Sequence, residues 1–143
     1  MAELKHVTIK KSDLDKIITY AFRELPDEAC GMIGGFDHED GTREIKEVYL
    51  MTNVDHTNEH FSMDPREQLA VIKDIRSKGY QLLGNWHSHP ESPSRSSQED
   101  IRLAFDSKVS YLILSLMDRE HPVLNSFHCE GGISTKESLT IVD

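Results

Sequence analysis

Two histidines, His87 and His89, stand two residues apart where an apolar run, Tyr80 to Trp86, gives way to His87-Ser88-His89-Pro90. Side chains two apart on an extended strand leave the same face, with backbones roughly 6.5–7 Å apart, so two imidazole nitrogens can converge on one ion. A catalytic zinc takes three protein ligands, commonly His with a carboxylate, at about 2.0–2.2 Å and leaves the fourth position to water. Asp100 offers the third. It ends the capping pattern Ser97-Gln98-Glu99-Asp100, which sets its carboxylate in the first turn of a helix one loop downstream, able to swing back toward the strand end. Each half also has a plainer explanation, as surface histidines or as an ordinary helix cap. Trp86 and Ser88 point to the opposite face, which places Trp86 in the core. Cys30 and Cys129 form no C-x-x-C pair, so two buried thiols are expected, with no disulfide framework, thiolate zinc site or cysteine nucleophile.

The rest of the chain must hold these residues in place. Its 143 residues are 37% hydrophobic and 29% charged, the size of one domain around one core, so residues 1–143 are read as a single domain. Sixteen Lys and Arg against 25 Asp and Glu leave a net charge of −9, which repels phosphate backbones and anionic headgroups. Nucleic-acid and membrane partners are not expected. No apolar run approaches the roughly 20 residues that cross a bilayer, and the opening MAELKHVTIKKSD lacks the apolar stretch of a signal peptide, so a cytoplasmic location is expected.

A strand is expected at His6 to Lys10. A helix follows from about Asp13 to Leu25, capped by Ser12 with Asp15, apolar at Leu14, Ile17, Ile18, Ala21, Phe22 and Leu25, and stopped by Pro26. Cys30 to Phe36 reads as a buried strand thinned by glycines, turning at Asp40-Gly41 into Thr42 to Met51 as a hairpin. Asp64-Pro65-Arg66-Glu67 starts a second helix that buries Leu69, Ile72 and Ile75 or Arg76 and ends at Gly79. Tyr80 to Trp86 is a central strand, Pro90 to Ser97 a mobile loop, and Ile101, Ala104 and Phe105 carry a short third helix. Tyr111 to Leu116, Val123 to His128 and Leu139 to Val142 complete the strands. Two hairpins without a regular βαβ repeat predict an α/β fold of the α+β type, a mixed, mainly antiparallel sheet with helices packed on it.

His87, His89 and Pro90, then six residues, then Ser97 and Asp100 resemble the signature of the JAMM or MPN+ metalloproteases, H-x-H-P followed by S-x-x-D with a Glu upstream. Pro26-Asp27-Glu28-Ala29-Cys30-Gly31 resembles that family's E-x-C-G segment and makes Glu28 the upstream acid; Asp27 beside it reads as a surface acid at a helix end. The likeness runs from about Leu4 to His128, through Phe61-Ser62-Met63-Asp64-Pro65, and is strongest to the small stand-alone prokaryotic branch. Ser96 departs from it, standing where such relatives often have Pro. The resemblance implies a cytidine-deaminase-like JAMM/MPN fold and one Zn²⁺ per chain on His87, His89 and Asp100, with Glu28 as general base and Ser97 as donor to the oxyanion. It further implies a peptidase or isopeptidase that cuts after the C-terminal Gly-Gly of a ubiquitin-like or sulfur-carrier protein, the extended tail lying along a sheet edge. A metal-free scaffold that binds partners and a small-molecule amidohydrolase stay open as alternatives, as does a homodimer; the deaminase pattern H-x-E with P-C-x-x-C is absent. His6, His38 and His121 read as surface residues, and Cys129 to Asp143 as structural. His56 and His60, in the polar Asn53 to Met63 segment, read as solvated, with substrate contact as the second reading.

Overall fold

The computed structural model describes residues 4–104 and 106–143. Among them run β1 (His6–Lys10), α1 (Lys11–Glu24), β2 (Cys30–Asp37), β3 (Thr42–Met51), α2 (Pro65–Ser77), β4 (Gln81–His89), α3 (Gln98–Leu103), β5 (Ser110–Ser115), β6 (Val123–Glu130) and β7 (Ile133–Val142). Phe105, expected on α3, lies outside the described residues.

The expected hairpin joins β2 to β3, with Asp37 opposite Arg43 and Cys30 opposite Met51. β4 lies between β2, antiparallel, and β5, parallel, and β5, β6 and β7 follow one another antiparallel. β1 runs parallel to both β3 and β7 and closes the ring β1-β3-β2-β4-β5-β6-β7. The sheet is thus mixed, as expected, but closed. β2 and β5 flank β4, so the strand that carries His87 and His89 is itself paired on both sides. Beyond Glu44 the open side of β3 is covered by α1, whose Lys16 Nζ and Tyr20 hydroxyl donate to the carbonyls of Val48 (2.9 Å) and Met51 (2.8 Å).

Two apolar clusters clothe the sheet. Ile17 and Ala21 of α1 join Val7, Ile9, Ile33, Ile45, Val48, Leu83, Trp86, Leu112 and Leu114. Phe61, Met63, Val71 and Ile72 cover Cys30, Met32 and Met51 on the other face of β2. Ile33 and Met32 serve opposite clusters, which is why β2 is apolar without alternation. Trp86 donates its indole N–H to the Tyr49 carbonyl at 3.0 Å. Gly31 lies under that bond: a Cβ there would sit 1.8 Å from the carbonyl oxygen and 2.3 Å from the indole nitrogen. Only glycine admits so close an approach.

Three local expectations are corrected. α1 starts at Lys11 with Lys10 as an N-cap that makes no side-chain bond, so Ser12 is not the cap. Sheet pairing holds β1 through Lys10, opposite Val142, and leads it straight into the helix; Asp15 pairs with Lys11 instead. Phe22 lies at the rim, 37% exposed. On α2, Leu69 is 54% exposed and Ile75 fully buried. The Asp64 carboxylate caps α2 through the Arg66 N–H, and Glu67 accepts from the Thr52 N–H at 2.9 Å. That contact turns Val71, Ile72 and Ile75 onto β2 and leaves Leu69 and Arg76 outward.

A buried polar network stitches the ring at the end of the β4–β5 pair away from His89. Arg43, 3% exposed, makes a two-pronged bond to Asp37 (2.7 and 3.0 Å) and also donates to Ser110 and to the Leu83 and Lys108 carbonyls. Glu137, 2% exposed, accepts from Ser110, Ser126 and the Lys5 N–H. Both charges are therefore satisfied, as burial requires.

Candidate metal centre

His87 and His89 close β4 on the face opposite Trp86 and Ser88, as strand alternation requires. Ser88 is put to use on its own side. Its Oγ accepts from the Ala29 N–H (2.8 Å) and its N–H donates to the Ala29 carbonyl (2.9 Å), fastening β4 to the segment that carries Glu28. Asn53, 3% exposed, donates to the Glu28 carbonyl, and the Glu28 N–H donates to Thr57, so the acid's backbone is held from a second direction.

Both imidazoles are buried and turned to one point, where Asp100 meets them. His87 Nε2 lies 3.1 Å from His89 Nε2 and 3.3 Å from Asp100 Oδ1, and His89 Nε2 lies 3.1 Å from Asp100 Oδ2. His89 Nδ1 is 2.9 Å from the Pro93 carbonyl. A carbonyl only accepts, so Nδ1 carries the hydrogen and Nε2 of a neutral ring keeps its lone pair toward the centre. The Phe61 ring stacks on His87 at 4.8 Å and 26° and fixes its plane.

The capping box forms in full: Asp100 N–H donates to Ser97 Oγ (3.0 Å), and Ser97 N–H donates to Asp100 Oδ2 (2.9 Å). Capping and convergence on the histidines, alternatives in the sequence, coexist in one carboxylate. The loop before it is pinned rather than loose. Ser94 and Ser115 donate to the Ile113 and Ser92 carbonyls, Asn125 to Ser94, and Arg119 to Pro90.

Burial sets the electrostatics. It opposes ionisation of Asp100, but hydrogen bonds from His87 and His89 hold the carboxyl well below the usual range. It pushes His87 down as a cation, whereas in His89 the bonds to Asp100 and Pro93 outweigh burial and raise it. Glu28, 4% exposed, is pushed up to about 8 by burial, eased by nearby His89 and reinforced by Asp100. Its Oε1 is buried without a partner among the described residues. Asp27, by contrast, is a third exposed and lies 3.8 Å from His56.

The donor set fits a tetrahedral cation. Ligand bonds of about 2.0–2.1 Å place ligand atoms about 3.3–3.4 Å apart, and the three separations here are 3.1–3.3 Å. When neither ring carries a proton on Nε2, two imidazole lone pairs and a carboxylate facing one point repel one another unless a cation lies between them; a protonated ring donates to Asp100 instead. The same three residues form the His/Cys/Asp/Glu cluster found among the described residues.

Cys30 and Cys129 are buried free thiols, and burial pushes Cys30 up to about 12, unsuited to nucleophilic work. His56 is exposed at 72% of its side chain and His60 bonds to Asp55, while His6, His38 and His121 are exposed as expected. Sequence reasoning missed Asn53, since a buried Asn in a polar loop carries no local mark. It also missed the bond of Ser88, although its place on the face of Trp86 was visible.

The profile of the family described as prokaryotic homologs of the JAB domain matches residues 10–130. A "CysO-cysteine peptidase" from Mycobacterium tuberculosis is 27% identical over 139 residues, 96% of this chain and 93% of the relative. A "Desampylase" from Haloferax volcanii is 31% identical over 106 residues, 71% of this chain and 74% of the relative. The solution structure of a protein from Desulfitobacterium hafniense superposes with a TM-score of 0.88 at 44% identity, covering 96% of this chain and 93% of the other. A JAB1/MPN domain protein from Archaeoglobus fulgidus shares the fold at a TM-score of 0.56 and 17% identity, over 97% of this chain and 100% of the other. On the match to residues 10–130, the chain belongs to the family of prokaryotic homologs of the JAB domain.

Proposed function

We propose that the chain is a zinc-dependent peptidase or isopeptidase that hydrolyses the amide bond after the C-terminal Gly-Gly of a ubiquitin-like or sulfur-carrier protein. One observation carries the reading: three donors spaced for a tetrahedral cation, with a buried carboxyl, Glu28 Oε1, left unpartnered. The relatives' names support the substrate class: a "CysO-cysteine peptidase", a "Desampylase" and, from Thermus thermophilus, a "Probable TtuB-protein conjugate cleaving protease".

His87 Nε2, His89 Nε2 and Asp100 would hold the ion. When bound, zinc supplies Lewis acidity, making water a nucleophile near neutral pH and polarising the scissile carbonyl. Glu28 takes the proton from the attacking water and delivers it to the leaving nitrogen, a role worth about 10²–10⁴ in rate. Burial raises its pKa in the metal-free site, and the positive charge of a bound cation would draw it back down to where the carboxylate can accept the proton. Ser97 Oγ already accepts from the Asp100 N–H, which leaves its own hydrogen to donate to the developing oxyanion. Phe61, from the Asn53 to Met63 segment, covers His87, so this segment borders the approach of the tail. A glycine tail suits it, having no side chain to clash where backbone meets the ligands. The net charge of −9 favours a carrier with a basic face around its tail.

Mass spectrometry of carrier adducts incubated with zinc-loaded protein tests the reading. Cleavage after Gly-Gly, abolished by Glu28→Gln with zinc retained and slowed as salt rises, is the expected result. Equal cleavage of unrelated unfolded peptides, or indifference to replacing Gly-Gly by Ala-Ala, would leave only a general peptidase.

A further inference from the structure

Glu28 lies two residues ahead of β2, whose pairing with β3 and β4 starts at Cys30, so its backbone is held by something other than the sheet ladder. Its carboxyl does not hold it either, since Oε1 has no partner among the described residues. The holder is the segment 53–62. The Glu28 N–H donates to the Thr57 carbonyl at 2.7 Å, and Asn53 Nδ2 donates to the Glu28 carbonyl at 3.0 Å. Both backbone polar groups of the acid are thus gripped by one loop, and that grip sets the direction in which its side chain leaves.

Asn53 also closes the loop on itself. Its Nδ2 donates to the His60 carbonyl (3.1 Å), and its Oδ1 accepts from the Asp55 and Ser62 N–H groups (3.1 Å each). Two carbonyls on one side of the fork and two N–H groups on the other fix the amide's orientation, and a carboxylate, having no donor, could not replace it. His60 and Ser62 flank Phe61, whose ring stacks on His87. A continuous chain of contacts therefore runs from the Glu28 backbone through one buried side chain, 3% exposed, to the ring that lies on a ligand.

We infer that Asn53 is the positioning residue of the base: it registers Glu28 against His87 by gripping the Glu28 backbone and the backbone on either side of Phe61. The inference rests on the hydrolysis proposed above, with Glu28 as its base. Every bond of Asn53 goes to backbone, so it acts on the reaction through Glu28 and not on the substrate. Its loss belongs in turnover, because a misplacement of about 1 Å at a reacting group can cost on the order of 10² in rate.

The test compares Asn53→Ala and Asn53→Asp with the unaltered chain, zinc-loaded, on a ubiquitin-like carrier extended beyond its Gly-Gly. Asn53→Asp keeps the shape and both accepted bonds but has nothing to donate to the Glu28 and His60 carbonyls. Both variants should keep their zinc and a KM within about twofold while kcat falls roughly tenfold to a hundredfold. In a Glu28→Gln background, Asn53→Ala should change the residual rate by less than about twofold, since no base is left to misplace. Amide exchange reads the grip without activity. Protection of the Glu28 N–H should drop at least about tenfold in both variants, while the Leu116 N–H, bonded to the His89 carbonyl, keeps its own. A wild-type kcat in Asn53→Asp, loss of zinc in both variants, or an equal slowing of the Glu28→Gln protein overturns the positioning role and leaves the hydrolysis standing. Failure of the unaltered zinc-loaded protein to cleave the carrier overturns the hydrolysis and the positioning role together, even where the exchange result shows the grip on Glu28.

Discussion

Glu28, the base proposed above, should cost the metal-free protein stability as pH rises. Buried and unpartnered, it holds its proton up to about pH 8 in the fold, against an ordinary value of 4.5. Between those values the folded state binds a proton that the unfolded chain has released, so stability falls as pH rises from 4.5 to 8 and levels off above. The full loss is on the order of 5 kcal/mol. Glu28→Gln removes the ionisation while keeping shape. In chelated protein, urea unfolding at pH 4.5, 6 and 8.5 should show the variant gaining on the wild type with each step. The gap between the two should widen by several kcal/mol overall, or on the order of 10 °C in Tm for a chain of this size. Comparing pH values cancels whatever the new amide itself costs. Wild-type and variant curves that run parallel from pH 4.5 to 8.5 would refute the claim that Glu28 is buried as an uncompensated acid.

Elemental analysis should find one zinc per chain, lost in His87→Ala and in Asp100→Ala; full metal content in either variant would break the ligand assignment. Ser97→Ala should lower kcat about 10²-fold through the missing oxyanion donor and cost about 1 kcal/mol in unfolding through the missing cap. Arg43→Ala should destabilise by about 3–5 kcal/mol in urea, because Asp37 and the Ser110–Glu137 link lose their cation. Its zinc stoichiometry should be unchanged, since the network lies at the other end of the β4–β5 pair.

The convergence of His87, His89 and Asp100 was legible because its signals are local. His87 and His89 share a face through strand alternation, and Ser97 and Asp100 mark a helix start through a hydrogen-bond exchange spanning three residues. Glu28 was a different matter. Nothing near it in sequence points to the histidines; the family likeness singled it out, and the bonds from Ser88 to Ala29 and from Asn53 to Glu28 show how the fold brings it near.

Sequence alone determined which residue types stand at which spacing, the hairpin at Asp40-Gly41, the start of α2 at Asp64-Pro65 and the apolar character of β2 and β5. These follow from periodicity, turn chemistry and capping, each contained within about ten residues. Tertiary structure decided the closure of the ring, since β1 pairs in parallel with β7, well over a hundred residues away, and no short-range pattern records such a partner. It also decided which stripe of α2 is buried, because Leu69 and Ile72 are equally apolar and only the Thr52–Glu67 contact and the ridge of β2 distinguish them.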